Sequence, residues 1–293
     1  MKLCERISVA VLVLLFIYVP CTQAITIDTR FIGGVPPVNV AGEGNLHDIV
    51  NAAARMWESV YPDSFTITLY YGWGPIGDAG NHSLLTQGGN PDREISGTIL
   101  FNNSGSVMYY LDSTPNSNEE YGQYMEESQN LGGGSVNVAR LYGSPRGEAV
   151  GRVDLLSVVL HEMGHALGLS AGNASFLAQS GTGVINIDSD LPYAGTMVPL
   201  AYNNSGIIPH IDALEVSYGN LMAGINGDER RIPSELDILA NAQISGFTVL
   251  RLRAMQMSPF GHSSIAGNVK SRRISGSPST STSATPRILI LSR

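Results

Sequence analysis

The chain has 293 residues, 43% of them hydrophobic, and a formal net charge of −8. Between Ile25 and Phe247, 24 Asp and Glu residues stand against eight arginines and no lysine, a formal charge of −16. Such a body repels nucleic acid and anionic membrane surfaces, which excludes both as partners, while its length suffices for one domain with a proper core.

The first segment carries Lys2 and Arg6, an apolar run from Ile7 to Val19, and then Pro20-Cys21-Thr22-Gln23-Ala24. This predicts a secretory signal peptide over residues 1–24, cleaved before Ile25, and so a secreted or extracytoplasmic protein, extracellular or periplasmic. An apolar run of that length is too short to span a bilayer, so no stable membrane insertion is expected after cleavage. The two cysteines, Cys4 and Cys21, leave with it, and the mature chain is expected to have neither thiol nor disulfide. At the other end, residues 248–293 gather Arg251, Arg253, Lys270, Arg272, Arg273, Arg287 and Arg293 around a Ser/Thr-rich stretch, which predicts a basic disordered tail.

Between these ends the elements follow in order. Leu46, Ile49, Val50, Ala53, Met56, Trp57 and Val60 recur at helical spacing behind Asn45 as a cap. Strands are predicted at Phe65–Tyr71, Gly97–Asn102, Ser106–Leu111 and Val136–Leu141. Asp154 then caps a run, Leu155 to Leu160, that is apolar on nearly every side and must be a buried helix. Residues 171–209 show no period and are predicted to be a loop shaping access to a site; its Asp188 and Asp190 could hold calcium but are more simply solvated. A last helix is predicted behind Ser234, over Glu235–Ala240.

The buried helix ends in His161-Glu162-Met163-Gly164-His165-Ala166-Leu167-Gly168. Positions i and i+4 share a helix face, so His161 and His165 can bind one metal ion while Glu162 reaches a water on it. Burying two histidines and a glutamate without partners would cost several kcal/mol, and a bound metal removes that cost. Gly168 is predicted to adopt a left-handed conformation and turn the chain off the helix axis, so that a distant residue completes the site.

The run HEMGHALG resembles the metzincin zinc peptidases, whose motif continues with a third histidine three residues after the glycine. Here that position is Ala171, which has no donor atom. Gly219-Asn220-Leu221-Met222-Ala223-Gly224 is similar to the clan's Met-turn, and an insertion before the third histidine resembles the leishmanolysin branch. The resemblance therefore implies His161, His165 and His210 as ligands of one catalytic Zn2+, Glu162 as general base, and Met222 beneath the metal, with Glu215 the rival third ligand because another class of zinc peptidases uses a glutamate there. It also implies an α+β fold, a twisted mixed sheet with two long helices above the cleft and a mainly irregular lower part ending in a helix. Residues 25–247 would be the catalytic domain. Tyr218, the nearest tyrosine to the Met-turn, does not match the clan's oxyanion donor and is expected at the surface.

The expected activity is hydrolysis of a protein or peptide substrate held in extended form along an edge strand. The alternative is a catalytically silent, secreted binding or surface protein that keeps the fold while Ala171 records a lost ligand. An intact Glu162 argues for the enzyme.

Overall fold

A computed structural model describes residues 24–249. The expected signal peptide up to Gln23, with Cys4 and Cys21, and the tail beyond Val249 lie outside the described residues. The folded part runs slightly past the expected boundary at Phe247, because the Thr248 N–H donates to the Asp63 carboxylate at 2.8 Å. Among the described residues no helix is long and apolar enough to cross a membrane.

The fold is mixed α+β. Strand β1 (Thr26–Gly33) leads to helix α1 (Leu46–Glu58), then β2 (Thr66–Gly74), β3 (Gly80–Gly89) and β4 (Asp92–Asn102). These strands form one sheet in the order β1-β2-β4-β3, parallel except for β3, which runs antiparallel to β4 and forms one edge. Asn45 caps α1 as predicted, its side chain accepting the Asp48 N–H at 2.9 Å.

A two-residue strand β5 (Tyr109–Tyr110), the hairpin β6 (Tyr121–Asn130) and β7 (Ser135–Pro145), and β8 (Val153–Asp154) precede helix α2 (Leu155–Ala166). Every residue of α2 is buried, as its uniformly apolar start requires. Asp154 caps it by accepting the Ser157 N–H at 3.0 Å. The cap is itself held by the fully buried Arg230, whose guanidinium pairs with Asp154 at 2.9 Å and Asp112 at 2.6 Å. Trp57 fastens α1 to α2, its indole N–H donating to the Leu160 carbonyl at 3.1 Å, one residue before the motif.

Residues 171–209 are not the loop that their lack of periodicity suggests. They fold into helix α3 (Ala174–Ser180), strands β9 (Val184–Asn186) and β10 (Met197–Asn203), and the start of β11 (Gly206–Ile211). The three strands make a small antiparallel sheet, β11-β10-β9. Asn173 caps α3 by accepting the Phe176 N–H at 3.0 Å. These elements are too short for a repeat of 3.6 or 2 residues to emerge, so pattern alone does not mark them.

Strand β12 (Arg230–Ile232) joins β7 and β6 in a third sheet, and helix α4 (Glu235–Ser245) closes the described chain behind a capping box of Ser234 and Asp237. Nearly all of α4 is buried, and its polar side chains grip the elements around the motif. Asn241 Oδ1 accepts the Leu169 N–H at 3.1 Å, Ser245 donates to the Leu167 carbonyl at 2.6 Å, and Asp237 accepts the Met222 N–H at 3.2 Å.

Candidate metal centre

His161 and His165 leave one face of α2, and β11 brings His210 to meet them. The Nε2 atoms of His161 and His165 are 3.0 Å apart, and those of His161 and His210 are 3.2 Å apart. All three nitrogens fall within 4.8 Å of one another, and this is the one group of three or more potential metal ligands found among the described residues. Two nitrogens on one tetrahedral zinc, each about 2.0–2.1 Å from it, would be separated by about 3.3 Å, so the spacing suits a shared cation.

The outer nitrogens fix the ring tautomers. His161 Nδ1 lies 2.8 Å from the Leu221 carbonyl and His165 Nδ1 lies 2.5 Å from the Leu169 carbonyl. A carbonyl only accepts, so both Nδ1 atoms carry the proton and both Nε2 atoms present lone pairs to each other. Burial, with the neighbouring imidazoles, pushes the pKa of His161 down to about 3 and that of His165 well below its ordinary value. His210 is lowered by burial as well. Converging neutral lone pairs repel unless a cation sits between them. The donor set therefore fits a metal, and three imidazoles suit zinc. His210 Nδ1 is buried without a hydrogen-bond partner, so this ring alone of the three lacks an outer acceptor.

Glu162 is buried next to the cluster, and burial pushes its pKa up to about 8, with the Asp78 charge adding to the rise and the His82 backbone N–H opposing it. Strand β3 lies directly on this side chain. A β-carbon on Gly80 would come within 2.5 Å of Glu162 Oε1, so only glycine lets the strand approach. The cleft above the cluster, about 790 Å³, is lined by β3 from Gly80 to Leu84, by α2, and by Pro209 and Ile225.

Met222 is fully buried in the turn Leu221–Ala223 and packs against Gly164, between the two helix histidines. Gly168 leaves the helix with a positive φ of 159°, more extended than the left-handed turn expected of it but still a conformation that residues with side chains rarely adopt. Packing adds to the constraint, because a β-carbon there would meet Asn241 Oδ1 at 3.0 Å and Ser245 Oγ at 3.2 Å. Glu215 is exposed and stands outside the cluster. Ala171 sits on the cleft wall, and Tyr218 is 64% exposed. Asp188 and Asp190 are both exposed, and Asp188 accepts a hydrogen bond from Gln243.

Sequence reasoning missed two residues beside the site. His82, on β3, stacks 6.3 Å from the His165 ring and bonds the buried Glu94 carboxylate at 2.8 Å. No periodic signal marks His82, because β3 is largely exposed and polar, and a slip in the β3–β4 register takes Glu94 out of the alternation of β4. Comparison with protein-family models, curated proteins and solved structures returned no match, so the chemistry of the centre rests on its own geometry.

Proposed function

We propose that this chain is a secreted zinc endopeptidase of the metzincin type. The observation that carries the reading is the convergence of three imidazole nitrogens, from the buried His161 and His165 and the half-buried His210, beside a buried carboxylate at the floor of an open cleft. His161, His165 and His210 would hold the ion. Bound zinc supplies a Lewis acid that polarises a peptide carbonyl and brings the pKa of a water close to neutrality.

The rest falls to the protein. Glu162 would take the proton from the attacking water and hand it to the departing amine. Strand β3 has one edge unpaired within its sheet, so an extended peptide could add to it as a further strand and lie across the cleft. Gly80 keeps that edge close to Glu162.

The reading of a silent binding protein drew its force from Ala171, and the presence of His210, brought from β11 to the other two imidazoles, supports the enzyme reading instead. Purified protein should contain one zinc and cleave casein or gelatin, and Glu162→Gln should keep the metal while losing cleavage. A wild-type protein loaded with zinc but inert toward unfolded polypeptides would return the balance to the binding reading.

A further inference from the structure

Beside the metal cluster lies a second buried polar pair that hydrolysis does not itself call for. His82 and Glu94 are almost fully enclosed, with side-chain exposures of 3% and 0%, and their Nε2 and Oε1 atoms are 2.8 Å apart. Burying a carboxylate costs several kcal/mol unless a specific partner receives it. Here the fold is bent to place one. Along β4, Gly97, Ile99 and Phe101 face inward, and simple alternation would put Ile95 inside as well. The β3–β4 register slips between Leu84 and Gln87 instead, which leaves Ile95 47% exposed and turns Glu94 to the interior. Bulges beside active sites re-aim side chains in this way. Gly97 makes the room, since a β-carbon there would come within 1.9 Å of Glu94 Oε1 and 3.0 Å of His82 Nε2.

His82 connects the pair to the chemistry. Its ring stacks on His165, and its backbone N–H faces the Glu162 carboxylate closely enough to oppose the rise of its pKa, on the same strand whose Gly80 packs against Glu162. We infer that the Glu94–His82 pair is a positioning device for the proposed general base: Glu94 fixes the His82 ring, the ring fixes this stretch of the edge strand, and the strand's N–H fixes the Glu162 carboxylate. Apolar packing could fill the same space, but it is not directional, whereas a buried hydrogen bond holds one orientation of the ring. The polar side-chain atoms of His82 and Glu94 bond each other, so both act as positioning residues. This inference rests on the hydrolytic role proposed for Glu162.

The test is Glu94→Ala in the full-length, zinc-loaded protein, read by kcat, KM, zinc content and hydrogen exchange of the His82 amide. Loss of the acceptor should lower kcat about 10- to 100-fold with KM and zinc content near wild type, and the His82 amide should lose its protection. Glu94→Gln keeps an acceptor oxygen and should restore both kcat and protection. If Glu94→Ala does not fold, His82→Phe keeps the ring bulk, breaks the bond, and should show the same fall in kcat. Wild-type kcat with a protected amide in Glu94→Ala overturns the inference, and so does a loss of zinc in step with kcat, which would make the pair a support of the metal site. If the wild-type protein hydrolyses nothing, the hydrolytic reading fails, and the amide exchange still decides whether the pair holds the strand on Glu162.

Discussion

Met222 lies so close beneath Gly164 that a β-carbon at position 164 would come within 2.4 Å of its sulfur. Gly164 sits between His161 and His165, so the methionine supports the backbone from which both imidazoles project. An exposed helix would gain about 1 kcal/mol from Gly→Ala. At this site the added methyl has nowhere to go, because Met222 and the neighbouring Trp57 are both fully buried. Gly164→Ala should therefore lower the unfolding free energy by about 1–2 kcal/mol, the range of overpacked cores. Adding Met222→Ala should recover part of that loss, a non-additive pairing visible in urea midpoints. A Gly164→Ala protein more stable than wild type would show that the contact is slack.

The ligand assignment separates two residues that sequence reasoning left in competition. His165→Ala and His210→Ala each remove an Nε2 atom from the cluster and should weaken zinc binding by comparable amounts, about 100-fold or more in a competition titration. Glu215→Ala alters an exposed side chain and should leave affinity within about twofold. Zinc affinity unchanged in His210→Ala would remove β11 from the site.

The helix of the motif, its Asp154 cap and its burial could be read from the sequence because they depend on neighbours within a few residues. His210 could be proposed only by resemblance, since forty-odd residues separate it from His165 and no local pattern links them. The segment between was misread for the same reason: α3 and β9 to β11 are held by contacts with one another and with α4, not by a hydrophobic period of their own. Gly168 was expected to turn the chain by its conformation, and its positive φ is joined by a second constraint that no local pattern announces, the approach of Asn241 and Ser245 from α4. The Arg230 pairing with Asp112 and Asp154, and the Glu94–His82 bond across a bulge, arise only once the chain has folded.

Removing the metal should loosen the centre without unfolding the domain. Nearly the whole of α2 and α4 is buried in one core, and the histidines are a small part of it. Chelation should abolish hydrolysis, and zinc should restore it. A ligand present at about 100 times its Kd adds about 2.7 kcal/mol to stability, so chelated protein should melt several degrees lower while keeping its far-UV circular dichroism. Complete loss of secondary structure on chelation would mean that the metal organises the fold as well as the reaction.

Glu162 gives the metal-free protein a pH dependence with a defined sign. Its carboxyl holds a proton up to about pH 8 in the fold, against an ordinary value of 4.5. Between those values the folded state binds more protons than the unfolded state at this residue, so stability falls as pH rises. The contribution is intact below pH 4.5, is lost across the interval, and stays lost above pH 8, where the buried group is ionised in the fold too. Glu162→Gln cannot ionise, and its amide oxygen can still accept the His82 N–H. Chelated Glu162→Gln should therefore match chelated wild type near pH 4.5 and exceed it in stability by on the order of a few kcal/mol at pH 8.5. The shifts of His161, His165, His210 and Glu94 are common to both proteins and largely cancel from the comparison. Urea midpoints at the two pH values measure the gap, and a gap of equal size at both would show that Glu162 is ionised in the metal-free fold throughout.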